Sequence, residues 1–267
     1  MTRRQVKRWA GVSATDLRDR WKRETIYLYG DIDSTMDAAR DLVATGAPPG
    51  TIVLSRGQTR GRGRSGATFH SPTDGGVYLS MLFHPRGAEI DAPITILAGL
   101  GIVTELERRF VDLRPAVKWP NDLIARDRKL GGILAEAARD PGGVHELIVG
   151  VGINMSTDRL PSDLDGHVIG IDACCDATAV DVADAVVAGL ERWLYRPPAA
   201  LTEGMLADLD RLDWLKNRRI AIADLPEGAG EGWAAGIAPN GGLLFRPERG
   251  ALRAVTTGSV EVLERER

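Results

Sequence analysis

The segment from residue 57 to residue 66 combines glycines and arginines in a pattern suited to binding an anion. It reads Gly-Gln-Thr-Arg-Gly-Arg-Gly-Arg-Ser-Gly and follows a strand-like run at 51–55. Glycine lets the backbone approach a ligand closely, and arginine supplies forked, permanently charged donors that suit carboxylate and phosphate. A solvated linker or an Arg-Gly nucleic-acid tail has the same composition, but this segment lies between strand-like runs inside the chain. We therefore expect an anion-binding loop.

The segment Lys118–Leu123 ends a strand-like run in a Trp-Pro-Asn-Asp turn. Asn121 and Asp122 place two oxygen-bearing side chains at a sheet edge, where they could hold a metal ion, a ribose or an adenine. Pro-Asn-Asp is also a common turn sequence, so a purely structural Asx-type turn is the alternative.

Two later strand-like segments are interrupted by glycines. The segment 129–136 begins with Lys129, whose ammonium could neutralise a phosphate or a carboxylate, and then carries a glycine pair. The segment 150–155 contains two more glycines and an asparagine. Such glycines indicate either a bulge or a close approach to a ligand, and a packing explanation fits the second segment equally well.

Several common catalytic patterns are absent from the sequence. It has no Walker-A spacing, no nucleophile elbow, no zinc-like His/Cys cluster and no obvious carboxylate pair. A cationic, glycine-lined site without a protein nucleophile suits the attack of a bound carboxylate on a nucleotide phosphate. In that chemistry, positioning and charge neutralisation do most of the work.

Composition narrows the class of protein further. The chain has 267 residues, 43% of them hydrophobic, and a formal net charge of −3, which gives no general attraction to nucleic acid or anionic membrane. No apolar stretch reaches the roughly 20 residues of a membrane span, and no hydrophobic signal core follows the basic N-terminus. The only cysteines, Cys174 and Cys175, are adjacent, which suits neither a stapling disulfide nor a metal site. We expect a cytoplasmic protein with reduced thiols.

Hydrophobic periodicity predicts an α+β order of elements. Ser34 and Asp37 indicate a capping box at the start of one helix, and Pro93 opens another. After residue 217, short β-like runs alternate with turns, which is typical of a small barrel appended to an α+β domain. The predicted helices cover 14–22, 36–43, 93–106, 180–195 and 199–213, and the predicted strands cover 51–55, 77–83, 116–119, 123–125, 129–138, 146–155, 219–223, 232–237, 243–246 and 251–255.

Four short sequence segments of this chain, the fourth of which has two parts, occur together in one protein family. With them the chain resembles a biotin–protein ligase (biotin–[acetyl-CoA-carboxylase] ligase), closely so over about residues 30–155. The resemblance implies a central mixed sheet flanked by helices, similar to class II aminoacyl-tRNA synthetases, in a catalytic domain at 1–215. It also implies a small SH3-like β domain at 216–267. The segments are Asp33–Thr35, Gln58–Arg64, Lys118–Asp122, and Lys129–Leu134 followed by Gly150–Asn154.

The resemblance further implies a two-step reaction that uses biotin and ATP as substrates, with Mg²⁺. The biotin carboxylate attacks the α-phosphate of ATP and gives biotinyl-5′-AMP, and a lysine of a biotin carboxyl carrier protein or domain then displaces AMP. The expected enzyme is cytoplasmic, has no membrane partner, and is a monomer or a homodimer. Because only about 30 residues precede the predicted catalytic region, too few for a three-helix DNA reader, no DNA binding is expected.

The resemblance also assigns site residues. Lys129 and Arg62 are the expected catalytic residues, and Asp122 is the expected Mg²⁺ ligand. Met36, Ala67 and Phe69 depart from the residues most common in the family at these positions. The expected biotin-binding residues are Ser34, Thr35, Met36, Gln58, Arg62, Gly63, Arg64, Lys129, Gly132, Gly150 and Gly152. The expected ATP- and adenylate-binding residues are Arg62, Arg64, Phe69, Asn121, Asp122, Lys129 and Asn154.

Three alternatives stay open at this point. A lipoate–protein ligase would form a similar acyl-adenylate but would not require a site for a ureido head. A biotin-binding relative that has lost catalysis, or a nucleic-acid binder that uses the Arg-Gly loop, would make no adenylate at all. The acidic balance of the chain disfavours the nucleic-acid binder.

Overall fold

A computed structural model of the chain describes residues 4–84, 93–225 and 229–264, and its largest element is a seven-stranded mixed sheet. Its strand order is β3-β4-β5-β9-β8-β7-β6, with β3 and β4 parallel and every other pair antiparallel. The strands are β1 Arg8–Trp9, β2 Val12–Ser13, β3 Ile26–Ile32, β4 Ile52–Gln58, β5 Gly76–Phe83, β6 Pro115–Lys118, β7 Asp122–Ala125, β8 Arg128–Arg139, β9 His145–Asn154, β10 Arg219–Ala223, β11 Gly230–Ile237, β12 Leu243–Pro247, β13 Arg253–Val255 and β14 Ser259–Glu264. The helices are α1 Ala14–Trp21, α2 Thr35–Ala44, α3 Ile94–Arg109, α4 Ala179–Leu194 and α5 Glu203–Leu212.

Helices cover both faces of this sheet. On one face, α2 connects the parallel strands β3 and β4 and buries Met36, Ala39 and Val43 against the sheet. On the other face, α3 and α4 pack in the larger core and cross at Gly101 and Gly189. A β-carbon at Gly101 would lie 2.1 Å from the Gly189 carbonyl oxygen, so both glycines are needed for the two helices to approach this closely.

The C-terminal strands form a second sheet with the order β13-β12-β11-β10-β14, antiparallel throughout. Its interior residues, among them Ile220 and Phe245, join the same continuous core as α3 and α4. The Trp119 indole donates to the Gly241 carbonyl oxygen at 3.1 Å, which ties this sheet to the end of β6. The prediction of a flanked mixed sheet with a small C-terminal β unit is confirmed, and the division between residues 215 and 216 stays a prediction.

Most predicted elements are confirmed, including the β7–β8 hairpin and the helix α1 with its Ser13 cap. Strands β1, β2, β3 and β14 were not predicted. The capping box predicted at Ser34 and Asp37 is wrong: Ser34 does cap α2 by accepting from the Met36 N–H at 3.2 Å. Asp37 instead forms ion pairs with Arg40 and Arg62. None of the helices in the described ranges is both long and apolar enough to cross a bilayer.

Candidate active site

A cavity of about 530 Å³ lies where the Arg-Gly loop, the two hairpins β6–β7 and β7–β8, and strand β9 meet. Ser259 and Val260 of the second sheet also line it. The structure therefore gathers into one site segments that are far apart in the sequence. The predicted site residues that line it are Ser34, Thr35, Met36, Gln58, Arg62, Gly63, Arg64, Phe69, Asn121, Asp122, Lys129, Gly132, Gly150 and Gly152.

The Arg-Gly loop folds back on itself as an irregular hairpin. The Gln58 N–H donates to the Ser71 carbonyl oxygen at 2.9 Å, and the Phe69 N–H donates to that of Gly61 at 2.9 Å. At the tip, the Gly63 N–H donates to the Ala67 carbonyl oxygen at 2.7 Å. These bonds hold the arginine-bearing strand of the loop over the cavity.

A chain of uncharged hydrogen-bonding groups lies at one end of the cavity. The Thr35 N–H donates to Gln58 Oε1 at 2.8 Å, and Gln58 Nε2 donates to Ser71 Oγ at 2.8 Å. Ser80 Oγ donates to Thr35 Oγ1 at 2.9 Å. Ser34, Thr35 and Ser80 are buried. Such an array of fixed donors and acceptors suits a neutral polar group better than an ion, because buried charges need charged partners.

Two glycines of β9 leave room for protein side chains beside the cavity. A β-carbon at Gly150 would lie 2.6 Å from the Met36 sulfur, and one at Gly152 would lie 2.4 Å from Cε1 of Phe69. Met36 and Phe69 thus take the space that side chains at 150 and 152 would need. The glycines shape the cavity indirectly, by allowing these two side chains to approach strand β9 closely.

Arg62 belongs to a network of four alternating charges. Its guanidinium lies 2.9 Å from Asp37 Oδ1 and 3.3 Å from Glu136 Oε2. Arg40 pairs with the same two carboxylates. Among the described residues, the buried Nε of Arg62 has no hydrogen-bond partner.

Lys129 and Asp122 meet at the other end of the cavity, with Lys129 Nζ 2.7 Å from Asp122 Oδ1. In the β6–β7 hairpin, Asp122 lies directly opposite Lys118, which also lines the cavity. Burial lowers the pKa of the Lys118 ammonium, against the opposing effect of Asp122. Burial also lowers the pKa of the Arg64 guanidinium. This end of the cavity is therefore cationic and partly desolvated.

Strand register shows how far apart the two ends lie. Asp122 pairs with Gly132, which pairs with Gly152. Ser80, which bonds to Thr35, pairs with Gly150. Positions 150 and 152 are two residues apart on β9, about 7 Å along the strand. A ligand with a neutral head and an acidic tail can therefore contact both ends at once.

The two asparagines predicted as site residues differ in their position relative to the cavity. Asn121 lines the cavity, but its Nδ2 donates to the Ile133 carbonyl oxygen at 2.9 Å, so its amide fastens the β6–β7 turn to β8. Asn154 is buried at the end of β9 and lies outside the cavity, with Nδ2 3.5 Å from the Ile169 carbonyl oxygen. Its expected role near the phosphates stays a prediction.

The sequence did not predict Lys118 as a cavity residue, or Ser80 as a residue that supports Thr35 from outside the cavity lining. Lys118 belongs to the Lys118–Asp122 motif, and the three residues between it and Asp122 are compatible with the observed cross-strand pair. Ser80 sits in a wholly buried strand, and its role depends on its contact with Thr35 across the sheet. No local signal identified it.

Asp122, the one carboxylate in the described cavity lining, fits a magnesium ion that arrives with a nucleotide. Within the described ranges, no three His, Cys, Asp or Glu side chains are grouped to hold a metal ion. Asp122 is a single carboxylate at the cationic end of the cavity. Mg²⁺ in nucleotide sites keeps several waters and takes one or two protein carboxylates plus the substrate phosphates, and Asp122 meets that requirement.

Comparisons with known proteins address the fold and the family. Residues 29–154 match the Biotin/lipoate A/B protein ligase family. The bifunctional ligase/repressor BirA of Bacillus spizizenii is 32% identical over 60% of this chain and 51% of its own length. The biotin–[acetyl-CoA-carboxylase] ligase of Paracoccus denitrificans is 33% identical over 46% of this chain and 52% of its own. The chain thus spans about half the length of these curated relatives.

Solved structures extend the similarity of fold to most of the chain. The biotin protein ligase of Aquifex aeolicus, solved in complex with biotin and ATP, superposes with a TM-score of 0.72 at 23% identity, over 90% of this chain and 99% of that one. The biotin protein ligase of Leishmania major, solved with biotin, gives a TM-score of 0.59 at 25% identity, over 91% and 99%. Residues 29–154, which contribute most of the cavity, are the part of the chain that matches the Biotin/lipoate A/B protein ligase family.

Proposed function

We propose that this protein is an ATP-dependent biotin–protein ligase. The observation that carries the proposal is the arrangement of one cavity with an uncharged hydrogen-bonding end at Ser34, Thr35 and Gln58 and a cationic end at Lys129. Biotin has a neutral ureido group at one end and a carboxylate at the other, so it matches both ends. The relatives named as biotin ligases support the same choice.

In the first step, the biotin carboxylate attacks the α-phosphate of ATP and pyrophosphate leaves. The ammonium of Lys129 would lie between the carboxylate and the α-phosphate, where it lowers their repulsion and stabilises the charge that develops as the new bond forms. Asp122 keeps Lys129 in place before ATP binds and, once the nucleotide arrives, would hold the Mg²⁺ that accompanies it. Phe69 offers an aromatic face at the cavity wall for the adenine.

In the second step, the ε-amine of a carrier lysine attacks the carbonyl carbon of biotinyl-5′-AMP and AMP leaves. The mixed anhydride hydrolyses if water reaches it, so the closed Arg-Gly loop protects it. Arg62 lines the cavity, and among the described residues its buried Nε has no hydrogen-bond partner. The substrate of this step is a biotin carboxyl carrier protein or domain, and the ATP requirement suits a cytoplasmic enzyme.

We also propose that the described chain does not read an operator sequence. The support is that α1 is the only α-helix before β3 in the described part of the chain and packs Leu17 and Trp21 into the core, whereas a helix-turn-helix reader needs a second helix beside its recognition helix. A gel-shift assay with biotin-operator DNA at physiological salt tests this, and specific binding would refute it.

A transfer assay separates biotin from lipoate as the substrate. Purified protein, MgATP and a biotin carboxyl carrier domain are incubated with either acid, and the mass of the carrier is measured. We expect one biotinyl group per carrier and no lipoyl group, and Gln58→Leu should abolish the transfer because it removes the acceptor and donor at the neutral end. Transfer of lipoate at a comparable rate would show that the neutral end does not select a ureido group.

A further inference from the structure

Two groups of charged side chains lie at the cavity, one mostly beside it and one in its lining, and they differ in net charge. Around Arg62 and Arg40, the two cations face the two carboxylates of Asp37 and Glu136, so this group is neutral. A neutral network attracts a polyphosphate only weakly, because each cation already has its counter-ion.

The second group carries excess positive charge. Lys118, Lys129 and Arg64 line the cavity beside a single lining carboxylate, Asp122, and Lys129 is its ion-pair partner. No carboxylate of the described side chains lies within ion-pair distance of Lys118 or Arg64. Glu261 of β14 acts on Lys118 from farther away. Two cations therefore remain without a close counter-ion on this side.

Lys118 is held in this position by Trp214. The Lys118 Nζ lies 5.6 Å from the centre of the Trp214 ring, within cation–π range. The indole donates to Asp127 Oδ1 at 2.8 Å, which anchors the ring to the β7–β8 turn. Arg218 stacks on the same ring at 4.2 Å. A π contact fixes an ammonium without neutralising it, so Lys118 keeps its charge available for a ligand.

We propose that Lys118 binds the β- and γ-phosphates of ATP and stabilises the departing pyrophosphate, and that Trp214 positions it. This inference rests on the proposed adenylation. In that step the new bond joins a biotin carboxylate oxygen to the α-phosphorus, and the bond from the α-phosphorus to the bridging oxygen breaks. The bridging oxygen keeps the electron pair, and Lys118 stabilises this added charge without transferring a proton. Arg64 supplies the second excess cation beside it.

The test compares the two half-reactions of one purified protein. Formation of the adenylate is followed as biotin-dependent release of pyrophosphate from MgATP. Transfer is followed separately, by supplying synthetic biotinyl-5′-AMP and measuring carrier labelling. Lys118→Gln should reduce kcat/KM for ATP about 100-fold and leave transfer from the supplied adenylate within about threefold. Lys118→Arg, which keeps the charge, should recover most of the first activity.

Trp214→Leu tests the positioning role. It should raise KM for ATP about tenfold while kcat falls less, because the ammonium is still present but is no longer fixed. Lys216→Gln is the matched control, since Lys216 pairs with Asp210 outside the cavity, and it should behave like the wild type. Thermal unfolding of each variant checks that it is folded.

The outcomes separate this inference from the proposed function. An unchanged kcat/KM for ATP in Lys118→Gln, or an equal loss in both half-reactions, overturns the pyrophosphate role. Full activity of Trp214→Leu overturns the positioning role. Failure of the wild-type protein in both half-reactions overturns the proposed function itself.

Discussion

The ring of Phe69 packs against Gly152, so close that a β-carbon at position 152 would lie 2.4 Å from Cε1 of the ring. This contact joins the Arg-Gly loop to strand β9 and sets the wall of the cavity where the nucleotide is proposed to bind. A glycine in a buried strand is otherwise unfavourable, and here the contact with the ring explains its presence.

Gly152→Ala should therefore displace Phe69. We expect a loss of about 1–3 kcal/mol in the free energy of unfolding, measured by urea denaturation, together with a higher KM for ATP. The double variant Gly152→Ala/Phe69→Ala should cost less than the sum of the single changes, because the clash is gone. Gly204→Ala in α5 is the control: its β-carbon would meet nothing within 4 Å, so it should be neutral or stabilising. Additive costs in the double variant would contradict the contact.

Lys129→Ala should remove the charge that bridges the carboxylate and the α-phosphate. We expect pyrophosphate release to fall by about 10²–10³-fold. The fold should persist, because the Lys129–Asp122 pair is partly exposed, with 38% and 20% of the side chains accessible, and such pairs contribute about 1 kcal/mol or less. Arg139→Ala, an exposed cation on the same strand, serves as the control. Pyrophosphate release near the wild-type rate in Lys129→Ala would remove Lys129 from the mechanism.

Arg62→Gly should let the adenylate escape from the site. Biotinyl-5′-AMP in solution acylates any accessible lysine, so unrelated proteins in the same tube should become labelled. Arg60→Gly provides the comparison within the same loop, because Arg60 is exposed and pairs with Asp33 outside the cavity. Streptavidin blots of a carrier and a bystander protein distinguish the two variants. Labelling confined to the carrier in Arg62→Gly would contradict the protective role.

Asp213 provides a pH-dependent test of stability. It lies after α5, where burial raises its pKa to about 6, and its Oδ2 has no hydrogen-bond partner among the described residues. Because the folded-state pKa exceeds the unfolded value of 3.8, the carboxyl favours the folded state when protonated. Its contribution to the free energy of unfolding is at most about 3 kcal/mol. This contribution is fully present below about pH 4 and is lost as the pH rises through about 6.

Asp213→Asn should therefore gain stability relative to the wild type at pH 7.5 and lose that advantage near pH 4. Asparagine keeps an acceptor for the Leu215 N–H, which bonds to Asp213 Oδ1 at 2.9 Å. Asp208→Asn, an exposed change in α5, controls for surface charge. Denaturant unfolding at both pH values gives the comparison, and an Asn variant that is less stable than the wild type at pH 7.5 would refute the raised pKa.

Local sequence patterns were sufficient to predict those helices and strands whose sequence signals lie within one segment. The apolar spacing after Pro93 predicted α3, and turn residues predicted the β7–β8 hairpin. Strand β3 was missed because Gly30 and Asp31 interrupt its apolar run. Strand β14 was missed although exposed Glu261 lies between Val260 and Val262, an alternation that is typical of a strand.

The candidate active site could not be predicted from local sequence patterns alone. The motif residues could be chosen from the resemblance, but the position of each depends on sheet register. Lys118 becomes a cavity residue only because β6 pairs with β7 and because Trp214, far along the chain, packs against it. Asp37 likewise forms a tertiary ion pair with Arg62 where the sequence predicted a local capping contact.

The most direct test of the account is biotin-dependent exchange of labelled pyrophosphate into ATP, with no carrier protein present and lipoate as the control acid. We expect exchange with biotin, none with lipoate, and none in Lys129→Ala. Exchange requires only the adenylating half-reaction, so it is independent of which carrier the protein modifies. Absence of exchange with biotin, in protein shown to be folded and to bind ATP, would contradict the proposed ligase function.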